Sequence, residues 1–133
     1  MTNILLVEDE PLVRETLLKA LESKGHTVVE ATNGVEGLTR FAERPFDLVI
    51  TDIIMPDKEG IGMIMEMRRI MPTAKIIAIS GGGRTGNVEF LKMAEKLGAM
   101  ATLKKPIRLA EFFRVLNGCL AEGRGTGEVL LQA

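Results

Sequence analysis

The chain has 133 residues, which suits one domain, and its 46% of hydrophobic and 26% of charged residues allow a buried core under a polar surface. The formal net charge of -1 argues against binding to nucleic acid or an anionic membrane, and the single cysteine excludes an intrachain disulfide. No apolar run approaches the roughly 20 residues of a membrane span, and the N-terminus lacks the basic start of a signal peptide, so we expect a cytoplasmic protein.

Apolar runs rich in β-branched residues alternate with helical patterns along the chain. Strands are predicted at residues 4–7, 27–31, 48–50, 75–79 and 100–103. A helix is predicted after each strand, with its start marked in turn by Pro11, Asn33-Gly34, Glu59, Asn87 and Leu109. Five strand–helix units predict an α/β fold with a parallel sheet covered on both faces, because crossovers between parallel strands are right-handed.

The end of the chain differs in composition from the rest. Residues 122–128 are rich in glycine, which destabilises a helix. We therefore expect one domain at residues 1–121 and a flexible C-terminal tail at residues 122–133.

Polar side chains follow four of the predicted strands. Glu8 and Asp9 follow the first, Asp52 ends the third, Ser80 follows the fourth and Lys105 follows the fifth. In an open α/β sheet, ligands bind at the carboxyl ends of the strands, and clustered carboxylates favour a hard cation such as Mg²⁺. A lysine and a hydroxyl beside them suit a phosphoryl group. Taken alone, Asp52 is equally compatible with simply ending its strand.

Several motifs occur in order between residues 3 and 120. They are Ile4-Leu5-Leu6-Val7-Glu8-Asp9-Glu10, residues 25–34, Asp47-Leu48-Val49-Ile50-Thr51-Asp52 with Met55-Pro56 and Gly60, Ser80, Gly98-Ala99, and Lys105-Pro106. Together they closely resemble the receiver domain of two-component response regulators. This resemblance implies a single (βα)5 flavodoxin-like fold, a doubly wound parallel sheet with strand order 2-1-3-4-5.

The resemblance also implies a phosphoacceptor. Asp52 would accept a phosphoryl group from the phosphohistidine of a histidine kinase or phosphotransfer protein. Ser80 would bond a phosphoryl oxygen, and Lys105 would pair with the phosphoryl group, with the Lys105-Pro106 peptide bond in the cis form. Such a domain assists its own phosphoryl transfer and autodephosphorylation but is not otherwise an enzyme.

The implied cofactor is Mg²⁺, held by Asp9, Asp52 and the main-chain carbonyl of Ile54, with Glu8 contributing through water. The implied partners are the phosphodonor and a downstream protein, without nucleic acid or membrane, and the protein is expected to be a monomer or weak dimer.

The chain departs from the family pattern at three places. Glu8 stands where many members carry aspartate, and Thr102 stands where many carry an aromatic residue. The loop that starts with Gly81-Gly82-Gly83 is longer than usual. Because Thr102 has no ring to bury, we expect activation to reorder residues 81–90 more than it moves Thr102.

Three functions other than that of a receiver are compatible with parts of the sequence. A nucleotide-binding loop at residues 80–86 lacks the Gly-Lys-Ser/Thr of the Walker pattern. A metal-dependent phosphohydrolase needs a separate acid or base, and the lone His26 is predicted at a distant turn. A pseudo-receiver that only binds proteins would be expected to lack the acceptor aspartate or the lysine. Labelling with a small phosphodonor separates these alternatives.

Overall fold

The structure, a computed structural model, describes residues 2–53, 59–80, 92 and 94–132, with only the backbone described for residues 59 and 122–132. The strands are β1 Asn3–Val7, β2 Thr27–Ala31, β3 Leu48–Asp52, β4 Ile76–Ser80 and β5 Ala101–Lys104. The helices are α1 Pro11–Ser23, α2 Gly34–Glu43, α3 Glu59–Ile70 and α4 Leu109–Gln132. A further helical segment at residues 94–96 precedes β5. Within the described residues, no helix is both long enough and apolar enough to span a bilayer.

The five strands form one parallel sheet in the order β2-β1-β3-β4-β5, as the resemblance implies. The register brings the carboxyl ends of the three central strands to the same level. Val7 of β1 pairs with Thr51 of β3, and Asp52 of β3 pairs with Ile79 of β4. Residues that directly follow these strands are therefore brought to one edge of the sheet.

Helices cover both faces of the sheet, and alternate residues of each central strand point to opposite faces. One face packs against α1 and α4 and has its core in Ile4, Leu6, Leu17, Leu21, Leu48, Ile50, Ile77, Ile79, Leu103, Phe112, Leu116 and Cys119. The other packs against α2, α3 and the helical segment before β5, with a core of Leu5, Val7, Ala31, Phe41, Val49, Ile53, Met63, Ile64, Met67, Ala74, Ile76, Ala78 and Ala94. A strand buried on both faces reads as a continuous apolar run, which is the pattern found in the sequence.

Arg68 of α3 connects the turn that follows α3 to the segment that leads into β5. Its guanidinium donates to the carbonyl oxygens of Leu97 at 3.0 Å and Pro72 at 2.7 Å, and also to that of Gly98. Gly98 has φ +98°, and a β-carbon there would meet the Arg68 side chain. This position therefore needs glycine both for its backbone angle and for space.

The C-terminus corrects one prediction from the sequence. The glycines at residues 122–128 were expected to end the helix, yet α4 continues to Gln132. Each glycine in a helix costs only about 1 kcal/mol relative to alanine, and here single residues of higher helix propensity than glycine stand between the glycines. The flexibility predicted for residues 122–133 remains a prediction.

Two glycines of α3 provide a matched test of packing. A β-carbon at Gly60 would overlap the backbone of Ile53, whereas one at Gly62 would meet nothing within 4 Å. We expect Gly60→Ala to lower the free energy of unfolding by roughly 1–3 kcal/mol through overpacking. Gly62→Ala should raise it by about 0.5–1 kcal/mol through helix propensity. Urea denaturation of both variants measures the difference, and equal effects of the two substitutions would contradict the close approach at Gly60.

Candidate functional site

The candidate site lies at the carboxyl edge of the sheet. Glu8 follows β1 directly and is fully buried, while Asp52 is the last residue of β3 and is 2% exposed. Ser80 ends β4 and is also fully buried. Its carbonyl oxygen accepts the main-chain N–H of Lys105 at 2.8 Å, which attaches the residue after β5 to the end of β4. The convergence of these strand ends, expected from the sequence, is confirmed for Glu8, Asp52 and Lys105.

The ammonium group of Lys105 lies among three carboxylates. Its Nζ is 3.0 Å from Glu8 Oε2 and 2.9 Å from Asp52 Oδ2, and it also contacts Glu10 Oε1. The Lys105 side chain is 12% exposed, so its contacts with the buried Glu8 and Asp52 form with little water around them. The Lys105-Pro106 peptide bond is cis, as expected from the resemblance.

Glu10 was not singled out from the sequence as a site residue. Carboxylate oxygens of Glu8, Glu10 and Asp52 all lie within 4.8 Å of one another, close enough to hold a metal ion. Asp9, which the resemblance implies as a ligand, is half-buried and is not part of this group in the described residues. Ile54, the implied carbonyl ligand, lies outside the described residues. The metal-binding roles of Asp9 and Ile54 therefore remain predictions.

Arg14 is a second residue that the sequence did not reveal. It lies on the first turns of α1, where Nη1 donates to the carbonyl oxygen of Glu8 at 2.9 Å. Its Nε is 3.3 Å from Glu30 Oε1 on β2. Arg14 thereby fixes the main chain of Glu8 between α1 and β2, although its spacing in the sequence is that of an ordinary helix surface residue.

Burial and the neighbouring charges together raise the pKa values of both Glu8 and Lys105. Burial, followed by the negative charge of Asp52, raises the pKa of Glu8 from 4.5 to about 7, although Lys105 opposes this shift. Burial lowers the pKa of Lys105, but its hydrogen bonds to Glu10, Asp52 and Glu8 outweigh burial and raise the pKa overall. Lys105 therefore stays charged at neutral pH.

The donor set fits a divalent cation. Glu8 Oε1 is buried and has no hydrogen-bond partner among the described residues, an arrangement that costs free energy unless something occupies that position. Carboxylate oxygens without nitrogen or sulfur ligands favour a hard ion such as Mg²⁺. This oxygen is available to a cation in the acidic cluster or to a water molecule bound to that cation.

Comparisons with known proteins agree with this geometry. The profile of the family described as the response regulator receiver domain matches residues 4–117. The chain belongs to this family. It is therefore a receiver domain of the kind used in two-component systems, and such domains are generally phosphoacceptors rather than enzymes and bind Mg²⁺ in an acidic pocket.

Individual relatives differ in how much of their length this chain spans. It is 36% identical to the chemotaxis protein CheY of Thermotoga maritima over 115 residues, which cover 86% of this chain and 93% of that protein. It is 37% identical over 110 residues to the sensor kinase CckA of Brucella abortus, covering 81% of this chain but only 11% of the kinase. The crystal structure of a response regulator receiver domain protein from Clostridium thermocellum superposes with a TM-score of 0.85 at 28% identity, covering 93% of this chain and 98% of that one.

The raised pKa of Glu8 predicts how stability depends on pH in the absence of divalent cations. The folded state binds the Glu8 proton more tightly than the unfolded chain does, so this contribution to stability is complete below pH 4.5 and is lost as pH rises to about 7. Glu8→Gln does not titrate and escapes this loss. Its free energy of unfolding relative to wild type should therefore rise between these pH values.

Urea denaturation with EDTA at a series of pH values measures this difference. The exposed Glu22 of α1 offers a control, because Glu22→Gln makes the same substitution away from the site. A difference between Glu8→Gln and wild type that stays constant with pH would contradict the raised pKa of Glu8.

Proposed function

We propose that the domain accepts a phosphoryl group on Asp52 in a Mg²⁺-dependent reaction and that this modification switches a protein-binding surface. The observation that carries the proposal is the position of the Asp52 carboxylate. It is 2% exposed at the end of a central strand, with its Oδ2 at 2.9 Å from the ammonium of Lys105. A side-chain carboxylate held beside a fixed cation is prepared to become an acyl phosphate.

In the proposed reaction, a carboxylate oxygen of Asp52 attacks the phosphorus of a phosphohistidine. The new O–P bond forms as the N–P bond breaks, and the electron pair of that bond remains on the imidazole nitrogen, which then takes up a proton. Transfer of this kind depends mainly on positioning and on neutralising charge. The burial of Asp52 fixes the position of its carboxylate and limits the access of water.

Lys105 and Ser80 would stabilise the transferred group. The Lys105 ammonium already touches Asp52, so a small movement brings it to a phosphoryl oxygen. Ser80 lies at the end of the neighbouring strand, and its hydroxyl would donate to a second oxygen. The hydrogen bond from the Lys105 main chain to the Ser80 carbonyl keeps these two residues together at 2.8 Å.

The cation would be held by Asp9, Asp52 and the Ile54 carbonyl, as the family resemblance implies, with Glu8 contributing through water. When bound, Mg²⁺ neutralises negative charge on the carboxylates and on the phosphoryl oxygens. Glu8 contributes the buried Oε1 described above, and Arg14 holds the Glu8 main chain in place.

The donor is proposed to be a histidine kinase or a phosphotransfer protein. The chain is similar to a segment of the sensor kinase CckA and to CheY over most of the length of CheY. Both similarities support membership of such a signalling pathway. The downstream partner is proposed to be a protein. Residues 81–90, proposed to rearrange on activation, lie outside the described residues, while Thr102 lies half-buried on β5 beside Ala78 of β4.

The rival functions are less well supported. A pseudo-receiver has no need of a buried acceptor carboxylate in contact with a lysine. A phosphohydrolase that used histidine as its acid or base would need it at the site, whereas His26 lies at the opposite edge of the sheet, directly before β2.

Asp52→Asn tests the acceptor directly. The amide is not a nucleophile toward phosphorus, so this variant should lose labelling by radioactive acetyl phosphate in the presence of Mg²⁺. Asp47→Asn is the matched control, because Asp47 directly precedes β3 at the amino end of the strand, away from the site. There its side chain accepts the main-chain N–H of Asn3 at 2.8 Å. It should be labelled like wild type. Labelling of Asp52→Asn at the wild-type level would show that another residue is the acceptor, and a chelator should abolish labelling of wild type.

Lys105→Ala tests the role of the cation. Without the ammonium, binding of the phosphoryl mimic beryllofluoride should weaken at least tenfold, because a charge-assisted hydrogen bond to the anion is lost. The adjacent Lys104 is exposed, so Lys104→Ala should bind the mimic as wild type does. NMR titration measures both affinities and shows which residues shift. Equal weakening in both variants would indicate a general effect of charge rather than a specific contact from Lys105.

A further inference from the structure

The three protons of the Lys105 ammonium are all engaged in the resting structure. An ammonium group has three N–H donors and no acceptor. Within the described residues, Glu8, Glu10 and Asp52 each accept from Lys105 Nζ. A phosphoryl oxygen that is to pair with Lys105 must therefore displace one of these three carboxylates.

The three carboxylates differ in how readily they can release the lysine. The side chains of Glu8 and Asp52 are 1% and 2% exposed, and a buried carboxylate that loses its cation pays a large desolvation cost. Asp52 is also the proposed acceptor and must remain in place. The side chain of Glu10 is 58% exposed, so water can solvate its carboxylate as soon as the contact breaks. Glu10 is the partner that costs least to displace.

The backbone around Glu10 supports the same conclusion. Glu10 occupies the N-cap position of α1, yet its side chain makes no capping hydrogen bond. Glutamate is not among the residues preferred at that position, which are serine, threonine, aspartate and asparagine. Its longer side chain instead reaches Lys105. Its main-chain N–H donates to Glu8 Oε2 at 3.1 Å, so the Glu10 backbone is fixed while its carboxylate can move.

We propose that Glu10 is a positioning residue that holds Lys105 in the resting site and releases it when a phosphoryl group arrives on Asp52. This inference rests on the proposed function, because it is the phosphoryl group that competes with Glu10 for Lys105. Breaking the contact between Glu10 and Lys105 therefore reduces the net favourable free energy with which the site binds a phosphoryl group. Removing the Glu10 contact favours the phosphoryl-bound state over the resting state.

Beryllofluoride titration at saturating Mg²⁺ tests this proposal with three variants. Glu10→Gln should bind the mimic about two- to five-fold more tightly than wild type, the range expected for loss of a partly exposed ion pair. Glu15→Gln is the matched control, since Glu15 is an exposed residue of α1 that contacts Lys19, and its affinity should equal that of wild type.

Glu10→Asp separates release of the lysine from a simple effect of charge. Aspartate keeps the negative charge but is shorter by one methylene, and at an N-cap it turns back to accept a helix N–H. It should therefore lose Lys105 and bind beryllofluoride more tightly, as Glu10→Gln does. If Glu10→Asp instead behaves as wild type while Glu10→Gln binds more tightly, Glu10 acts only by repelling the anion and the proposal is wrong.

A second measurement observes Lys105 itself, without any phosphoryl mimic. The NMR signal of Lys105 Nζ in the metal-free protein should shift in Glu10→Gln and Glu10→Asp but not in Glu15→Gln. An unchanged Lys105 signal, or unchanged beryllofluoride affinity in both Glu10 variants, overturns the role of Glu10 alone. Wild-type protein that fails to bind beryllofluoride at all overturns the proposed function, and the inference with it.

Discussion

The ammonium group of Lys105 is the interaction on which the site depends. Three carboxylates gather within 4.8 Å of one another, and without a positive charge among them their repulsion would oppose folding. Lys105 supplies that charge from a position 97 residues away from Glu8 along the chain. The acidic group can therefore be stable only once β5 has joined the sheet, so that the site is completed by the last strand to be added in sequence order.

The sheet determines the distances between these charges. β1, β3 and β4 are buried on both faces, and a shift of one residue between neighbours would exchange the residues of the two cores. Apolar packing therefore fixes where Glu8, Asp52 and Ser80 end up, and the polar side chains have only to extend from strand ends that are already in place. This explains why carboxylates that repel each other can be held together.

The fold was more predictable from the sequence than the site. Apolar runs predicted the strand at residues 27–31 with the bounds that the structure has, and the helical pattern predicted the start of α3 at Glu59, because burial leaves a periodic pattern. The strand order came only from the family resemblance, since periodicity does not report which strands are neighbours. Glu10 and Arg14 were missed because a polar residue at or near the start of a helix gives no periodic signal of where its side chain turns. The continuation of α4 was missed because glycine propensity is a weak local effect.

Arg68 constrains how a change at the site can spread. Its guanidinium binds the carbonyl oxygens of Leu97, Gly98 and Pro72, which ties the end of the helical segment before β5 to α3 at the amino edge of the sheet. A segment fastened at one end cannot slide along the sheet as a whole. A displacement of β5 that begins at Lys105 therefore meets resistance before the other end of the strand, where Arg68 holds the carbonyl oxygens of Leu97 and Gly98.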